Sequence, residues 1–501
     1  MGLTSACRIE SRSIEGNHRS VDTHHDGLER SQVDITQVDE SGISRKRGHA
    51  PVSRFAGPFI NRASSLASMK TRGIGGLAVV VSGLVVLAAC GSSASTPVTT
   101  DVPRTTTTVP RVSDGVLRLG LLVPRSGSGA SLGEALVPVV ESSITTINVA
   151  GGFNGQNVEL VIRDEGNDTA TALAAVERLV DEDDVDAIIG PLSSNVALGI
   201  LPSLTRSEIG VCSPAATSVL LNNFPDRGLF VRTAPTDSLI AQAMSQAIAQ
   251  TGQSSTALAF PDDRYGRRLA SELRRYLGLQ GISITDEVPY SPTDESYTDD
   301  LEGVSEESRV LALVANQESG ARFFNSVLVT DSSQTIVLND ALANVSLPND
   351  SALDRLSDFT ILGVAHDVTI GFQNLVDVLG ERRVFPGPVA SGTSRQPIPF
   401  ATSTLDCVNL LVLAALSASS DDPLVFMNSV IPVSRVGSSC NTFEQCSSVL
   451  SRGLNVDYNG PTGLLALTPN GEPSLASFVN YGFDEDGLPE YRSFIGVISS
   501  P

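Results

Sequence analysis

Three short segments of this chain carry residue types that could do chemistry. Gly190-Pro191-Leu192-Ser193-Ser194 closes an apolar run and opens an amphipathic one. Backbone N–H groups at such a helix start favour an anion such as a carboxylate, and serine hydroxyls add donors. The plainer reading is that Ser193 or Ser194 only caps the helix. Ser213-Pro214-Ala215-Ala216-Thr217 has the same strand-to-loop setting. Gly129-Ala130-Ser131-Leu132-Gly133 fits G-x-S-x-G, the pattern of a serine nucleophile on a strand-to-helix turn. A hydrolase elbow follows several strands, whereas this one follows the first strand of its domain, and its imidazole would have to be His366. An extracytoplasmic serine hydrolase using Ser131 is therefore the rival reading from another class. The same loop has three residues rather than two before its last glycine, so it fails the dinucleotide pattern.

Absences limit the chemistry further. No lysine follows Lys70, which removes the P-loop lysine and the Schiff base. His366 is the one histidine after residue 90, so no His-paired metal site is expected. The reading needs no cofactor and no metal. Eleven of the 34 basic and eight of the 56 acidic residues precede Cys90, leaving 23 arginines against 48 carboxylates, a formal charge of −25. That balance argues against nucleic acid as a partner.

Leu87-Ala88-Ala89-Cys90 gives the location. A basic segment (Lys70, Arg72) and about fourteen small or apolar residues, Gly73 to Val86, precede it. This is an export signal too short for a comfortable span, and its ending resembles a bacterial lipobox. Cys90 would then carry lipid, and residues 69–89 would be removed. Residues 1–68 read as a leader or as sequence ahead of a start at Met69. Residues 90–114 are a Ser/Thr/Pro tether. The expected location is the outer face of the cell membrane, through the lipid on Cys90.

Four further cysteines fall in that oxidising setting. Cys440 and Cys446 bracket the polar stretch NTFEQ, and closing so small a loop is worth about 2 kcal/mol on the chain-entropy model. Cys212 and Cys407 are either a second pair, by elimination, or two buried thiols.

The elements that must hold these groups follow an alternating rhythm. VLRLGLLVP, NVELVIRDE, VDAIIGP, GVCSPAAT and LFVRTAP read as strands, separated by helices over 132–148, from Asp168 or Thr169 to Val180, and from about Ser194. The rhythm restarts with TALAFPDD, a helix over 264–279, ISITDEVPY, RVLALVAN, a helix over 320–328, TIVLND and FTILGVAHD. A helical stretch over 402–419 and the cysteine segment follow. DYNGPTG, FVNYGFDEDG and SFIGVIS read as antiparallel strands joined by turns. Continuous Val/Ile/Leu runs alternating with helices indicate parallel sheets covered on both faces. Two series imply two doubly wound α/β domains.

In their order, LLVPRSGSGASLGEAL, INVAGGFNGQNVELVIRDEGND, AIIGPLSSNV, GVCSPAATS, LFVRTAPTD, DRYGRRL and VDYNGPTGLLALTPNGEP resemble the type 1 periplasmic binding proteins. Within them the leucine/isoleucine/valine-binding, receptor-ligand-binding kind is the most similar. The resemblance runs from Val116 to Ser499. It implies two lobes, 115–235 plus 367–459 and 236–366 plus 460–501. Three crossings join them, near Thr233–Thr236, Val364–Asp367 and Tyr458–Thr462. By the same resemblance Ser194, with Ser193, meets the carboxylate of a ligand. The Ala215 carbonyl meets its ammonium, and Thr217 offers its hydroxyl and N–H. Tyr265 enters the cleft, Asp340 pairs with the ammonium or caps the next helix, and Asn316 points to the cleft. Leu132 and Ala315 stand where amino-acid binders carry aromatics, so the ligand remains open among amino acids, amides and small carboxylates. His366 reads as a hinge or surface residue and Arg125 as a solvated loop arginine. The function implied is a non-enzymatic, lipid-anchored solute-binding protein that closes on a small ligand for the permease subunits of an ABC importer. The alternative is a ligand sensor for a membrane signalling partner.

Overall fold

Residues 119–123 are buried on both faces of the strand they form, which lies second from the edge of a five-stranded sheet. The structure, a computed structural model, describes residues 113–366 and 398–499, apart from 128, 303, 305–307, 317–318, 331–333, 344, 346 and 348–352. The leader, the signal segment, Cys90 and most of the tether lie outside the described residues.

The first lobe runs β1 (Arg118–Val123), α1 (Ala130–Val149), β2 (Glu159–Asp164), α2 (Thr169–Asp181), β3 (Ala187–Ile189), α3 (Ser194–Arg206), β4 (Gly210–Ser213) and β5 (Phe230–Arg232). All five strands are parallel, in the order β2-β1-β3-β4-β5. The side chains of β1 split by parity. Leu119, Leu121 and Val123 join a core with α1, while Leu122 joins α2 and α3. Period-2 side-chain direction thus makes both faces apolar and places helices on each. The Asp168 side chain opens α2 by accepting the N–H groups of Ala170 and Thr171 at 2.8 and 2.9 Å.

The second lobe runs α4 (Asp237–Gln250), β6 (Ser255–Pro261), α5 (Arg264–Leu279), β7 (Ser283–Tyr290), α6 (Thr298–Leu301), β8 (Val310–Leu313), α7 (Ser319–Leu328), β9 (Thr335–Leu338) and β10 (Thr360–His366). Its sheet has the order β14-β13-β10-β9-β8-β6-β7, where β13 (Leu475–Phe483) and β14 (Pro489–Ser499) are an antiparallel pair at one edge. The parallel part repeats the first lobe's order, so each sheet has a switch point beside its first strand.

Between β10 and β13 the chain returns to the first lobe as α8 (Ala401–Ala418), α9 (Pro423–Val433), β11 (Ser438–Cys440), α10 (Phe443–Leu450) and β12 (Val456–Tyr458). α8 is apolar enough over 18 residues to cross a membrane by composition, yet it is the buried central helix of the first core. Two expectations are corrected here. β12, from DYNGPTG, pairs in parallel with β11 rather than in an antiparallel hairpin. The third crossing comes later than Tyr458–Thr462: Leu465 and Leu467 pack in the first core, and the Gly471 carbonyl accepts the Arg232 N–H at 2.8 Å. The chain enters the second sheet only at Leu475, so residues 460–472 belong with the first lobe.

Both cysteine pairs stand at disulfide distance. Cys212 on β4 joins Cys407 on α8, and Cys440 joins Cys446. The latter pair clasps the start of α10 rather than a plain loop. At the domain's edge Ser113 and Gly115 both bond the Asp421 carboxylate, so the expected tether is anchored by Ser113.

Candidate functional site

A cavity of about 90 Å³ opens between the two sheets. Thr217 after β4, Asp340 after β9 and His366 at the end of β10 line it, together with Pro235 of the first crossing and Phe400 and Thr402 at the start of α8. Strand ends from both lobes therefore meet, as parallel α/β sheets place their ligands at carboxyl ends. A neighbouring cavity of about 360 Å³ is lined by Leu132, Glu165, Asn167, Ser193, Ala215 and, again, Phe400. Phe400 has φ +59°, a left-handed conformation rare for an aromatic residue. It supplies an aromatic beside Leu132 from a segment distant in sequence.

The loop over 190–194 is built differently from the expectation. Gly190 has φ +115°, and a Cβ there would lie 2.0 Å from the Leu122 carbonyl oxygen, so only glycine lets β3 and β1 approach this closely. The N–H groups of Leu192 and Ser193 are already engaged: they donate to the Glu165 carboxylate at 2.8 and 2.9 Å. Ser193 caps α3 by accepting the Val196 N–H, and the Ser194 hydroxyl accepts the Ser218 N–H at 3.2 Å. Both serines thus make structural bonds, while Ser193 also borders the larger cavity. Burial pushes the Glu165 carboxyl up to about 7, against the two N–H donors that favour its charged form.

Asp340 has the opposite surroundings. Burial, and then the nearby Asp237 carboxylate, raise it to about 6. Asp237, the first residue of α4, is also raised by burial, although Thr217 and Arg232 favour its charge. One of its oxygens, Oδ2, has no hydrogen-bond partner among the described residues. Asp340 lines the cavity, and with the Asp237 carboxyl near enough to act on it, this side of the cavity is a place for a cation.

Tyr265 stands behind that wall. Its hydroxyl accepts from Asn339 Nδ2 at 3.0 Å, and burial first, then Asp237 and Asp340, hold its pKa well above the usual phenol value. It lines neither cavity. Asn316 is a correction: its Oδ1 accepts the N–H groups of Ser319 and Gly320 at 2.8 and 3.1 Å, capping α7 instead of facing the cleft. Ala315 is fully buried. His366, expected as a hinge or surface residue, lines the cavity. Arg125 pairs with Glu134 at 2.8 Å on the surface. Ser131 sits on the exposed first turn of α1 and borders neither cavity, away from His366 on the second sheet.

Three residues that sequence reasoning passed over position the site. Arg232, fully buried on β5, donates to the carbonyls of Ala216 and Ser218 at 3.0 and 2.9 Å and pairs with Glu472 at 3.5 Å. It holds the loop bearing Ala215 and Thr217. Asn339, also fully buried, fixes the β8 and β9 ends by accepting the Ala315 N–H at 2.7 Å. Asp406 on α8 accepts from the Tyr458 hydroxyl at 2.7 Å and from the Thr462 N–H at 3.0 Å, and burial raises it to about 7. A lone charge inside an apolar run was the available signal for Arg232 and Asp406.

Residues 116–337 match the family model described as periplasmic binding protein. The chain is 24% identical over 372 residues to the chemotactic signal transduction substrate-binding protein BasB of Halobacterium salinarum, covering 71% of this chain and 84% of that protein. It superposes on the Streptococcus pneumoniae branched-chain amino acid substrate-binding protein LivJ, solved with isoleucine, with a TM-score of 0.57 at 16% identity. That superposition spans 77% of this chain and all of that one. The chain has the fold of the type 1 periplasmic binding proteins. The fold is also that of an ABC transporter solute-binding protein from R. palustris solved with benzoate, with a TM-score of 0.56, 16% identity and coverage of 77% and 98%. A Leu/Ile/Val-binding protein of Rhizobium johnstonii is 24% identical over 36% of this chain, and the match spans about half (49%) of that relative. The periplasmic binding protein fold accounts for the two repeated sheets and for a cavity built from both.

Proposed function

We propose that this protein is an extracytoplasmic solute-binding lipoprotein, anchored through Cys90, that captures a small polar ligand between its lobes for an ABC importer. The single observation that carries the reading is the meeting of Thr217 and Asp340, from strand ends of different sheets, in one cavity. An acid wall facing hydroxyls and backbone dipoles favours a ligand with an ammonium group, and amino acids head the candidates. Isoleucine in LivJ and benzoate in the R. palustris protein are in keeping with amino acids and small carboxylates. Ligand would stabilise the closed arrangement only through contacts made to both lobes, so binding and closure form one equilibrium.

The test is calorimetry and small-angle scattering with amino acids, amides and carboxylates. A binder that contracts the scattering profile supports capture; a panel in which nothing binds ends the reading. Metabolic labelling with palmitate tests the anchor, and label that persists in Cys90→Ala removes it. The likeness to BasB favours a second reading, a ligand sensor for a membrane signalling partner. Ligand uptake lost on deletion of the gene supports import, and a lost behavioural response with uptake intact supports sensing.

A further inference from the structure

The Gly190–Ser194 loop cannot offer its N–H groups twice. Those of Leu192 and Ser193 are held by Glu165, and a ligand carboxylate brought to them would meet that carboxylate. A second helix start faces the cavity. α8 is 18 residues long, its first turn bears no acidic residue, and Phe400 at its cap position offers no side-chain acceptor. First-turn N–H groups have no partner within a helix and carry the positive end of its dipole. In α8 the Ala401 N–H is taken by the Ile398 carbonyl at 3.2 Å, so those of Thr402 and Ser403 are the ones on offer.

An independent observation points to an occupant. Thr402, 2% exposed, lines the cavity, and its buried hydroxyl has no hydrogen-bond partner among the described residues. Buried hydroxyls are otherwise paired, because an unmade bond costs the full desolvation of the group. Ser403 lines the cavity beside it. Asp340, on the opposite side of the cavity, repels a purely anionic molecule, so an anion seated at α8 should bring a positive group of its own.

We infer that the first turn of α8, with the Thr402 hydroxyl, is the subsite for the carboxylate of a zwitterionic ligand whose ammonium lies toward Asp340. The inference rests on the capture reading above.

The test uses the full chain, the twenty common L-amino acids and the amine left by decarboxylating each. Wild type should bind at least one amino acid at least tenfold more tightly than its amine. Thr402→Val should weaken the amino acid at least tenfold and leave the amine unchanged, and Thr402→Ser should restore binding to within threefold of wild type. Equal loss for amino acid and amine marks a structural role and overturns the subsite, as does a Thr402→Val variant that binds like wild type. In either case the capture reading stands. A wild type that binds none of the panel overturns the subsite, and the capture reading falls with it only if the amides and carboxylates above also fail to bind.

Discussion

Glu165 accepts the Ser193 N–H at 2.9 Å from inside the first lobe, filling with its own carboxylate a helix start that the sequence alone offers to a ligand. Glu165→Gln leaves one of the two N–H donors facing an amide NH2 group. It should destabilise the fold by about 1–3 kcal/mol, read by urea unfolding.

The same burial fixes a pH response. Glu165 and Asp406 are raised from 4.5 and 3.8 to about 7 in the folded protein. The folded state therefore binds more protons than the unfolded chain between about pH 4.5 and 7, and stability falls as pH rises through that window. Each group contributes a slope of about 1 kcal/mol per pH unit. Melting temperature should rise as pH drops from 8 to 5, and Glu165→Gln should flatten the rise. A melting temperature that is constant or falls on acidification contradicts this.

Asp340, at about 6, should make ligand capture pH-dependent. Its ionised form attracts an ammonium, so affinity for an amine-bearing ligand should decline below pH 6, by up to about tenfold per unit. Titration calorimetry at pH 5 and 7 checks it, with Asp340→Asn expected to bind weakly at both.

Arg232 holds the 216–222 loop and pairs with Glu472 where both are buried. Arg232→Met strands the Glu472 carboxylate without its cation. A loss of about 3–5 kcal/mol in denaturant unfolding is expected, relieved in part by adding Glu472→Gln.

The two cysteine pairs should differ in weight. Cys212 and Cys407 are 195 residues apart and Cys440 and Cys446 only 6. On the chain-entropy model the first closure is worth about 5 kcal/mol and the second about 2. Guanidinium unfolding of the two double alanine variants should rank them in that order.

Much of this architecture was legible because its causes are local. Continuous apolar strands such as 117–123, and an Asp168 placed to open α2, announce themselves over a few residues. Thr217 and Asp340 were visible for the same reason, each standing just past a strand. Asn316 stands in an equivalent place and caps α7 instead, since a strand-end polar residue serves a helix as readily as a ligand. Glu165 was hidden in the polar stretch RDEGND, where a buried acid looks like a solvated one until β3 arrives beside it. Arg232, Asn339 and the unmated hydroxyl of Thr402 acquire meaning only from neighbours remote in the chain. α4 and α9, apolar on most sides, show no amphipathic stripe to read.

The Cys212–Cys407 bond, with the Thr233 hydroxyl donating to the Ser403 carbonyl at 2.7 Å, rivets the start of α8 to the first sheet. That end of the cavity and Thr217 thus share one reference frame, and only the Asp340 side is left to travel. Spin labels on α8 and β4 should keep a constant separation through every stroke, while a label beyond β9 registers the whole displacement.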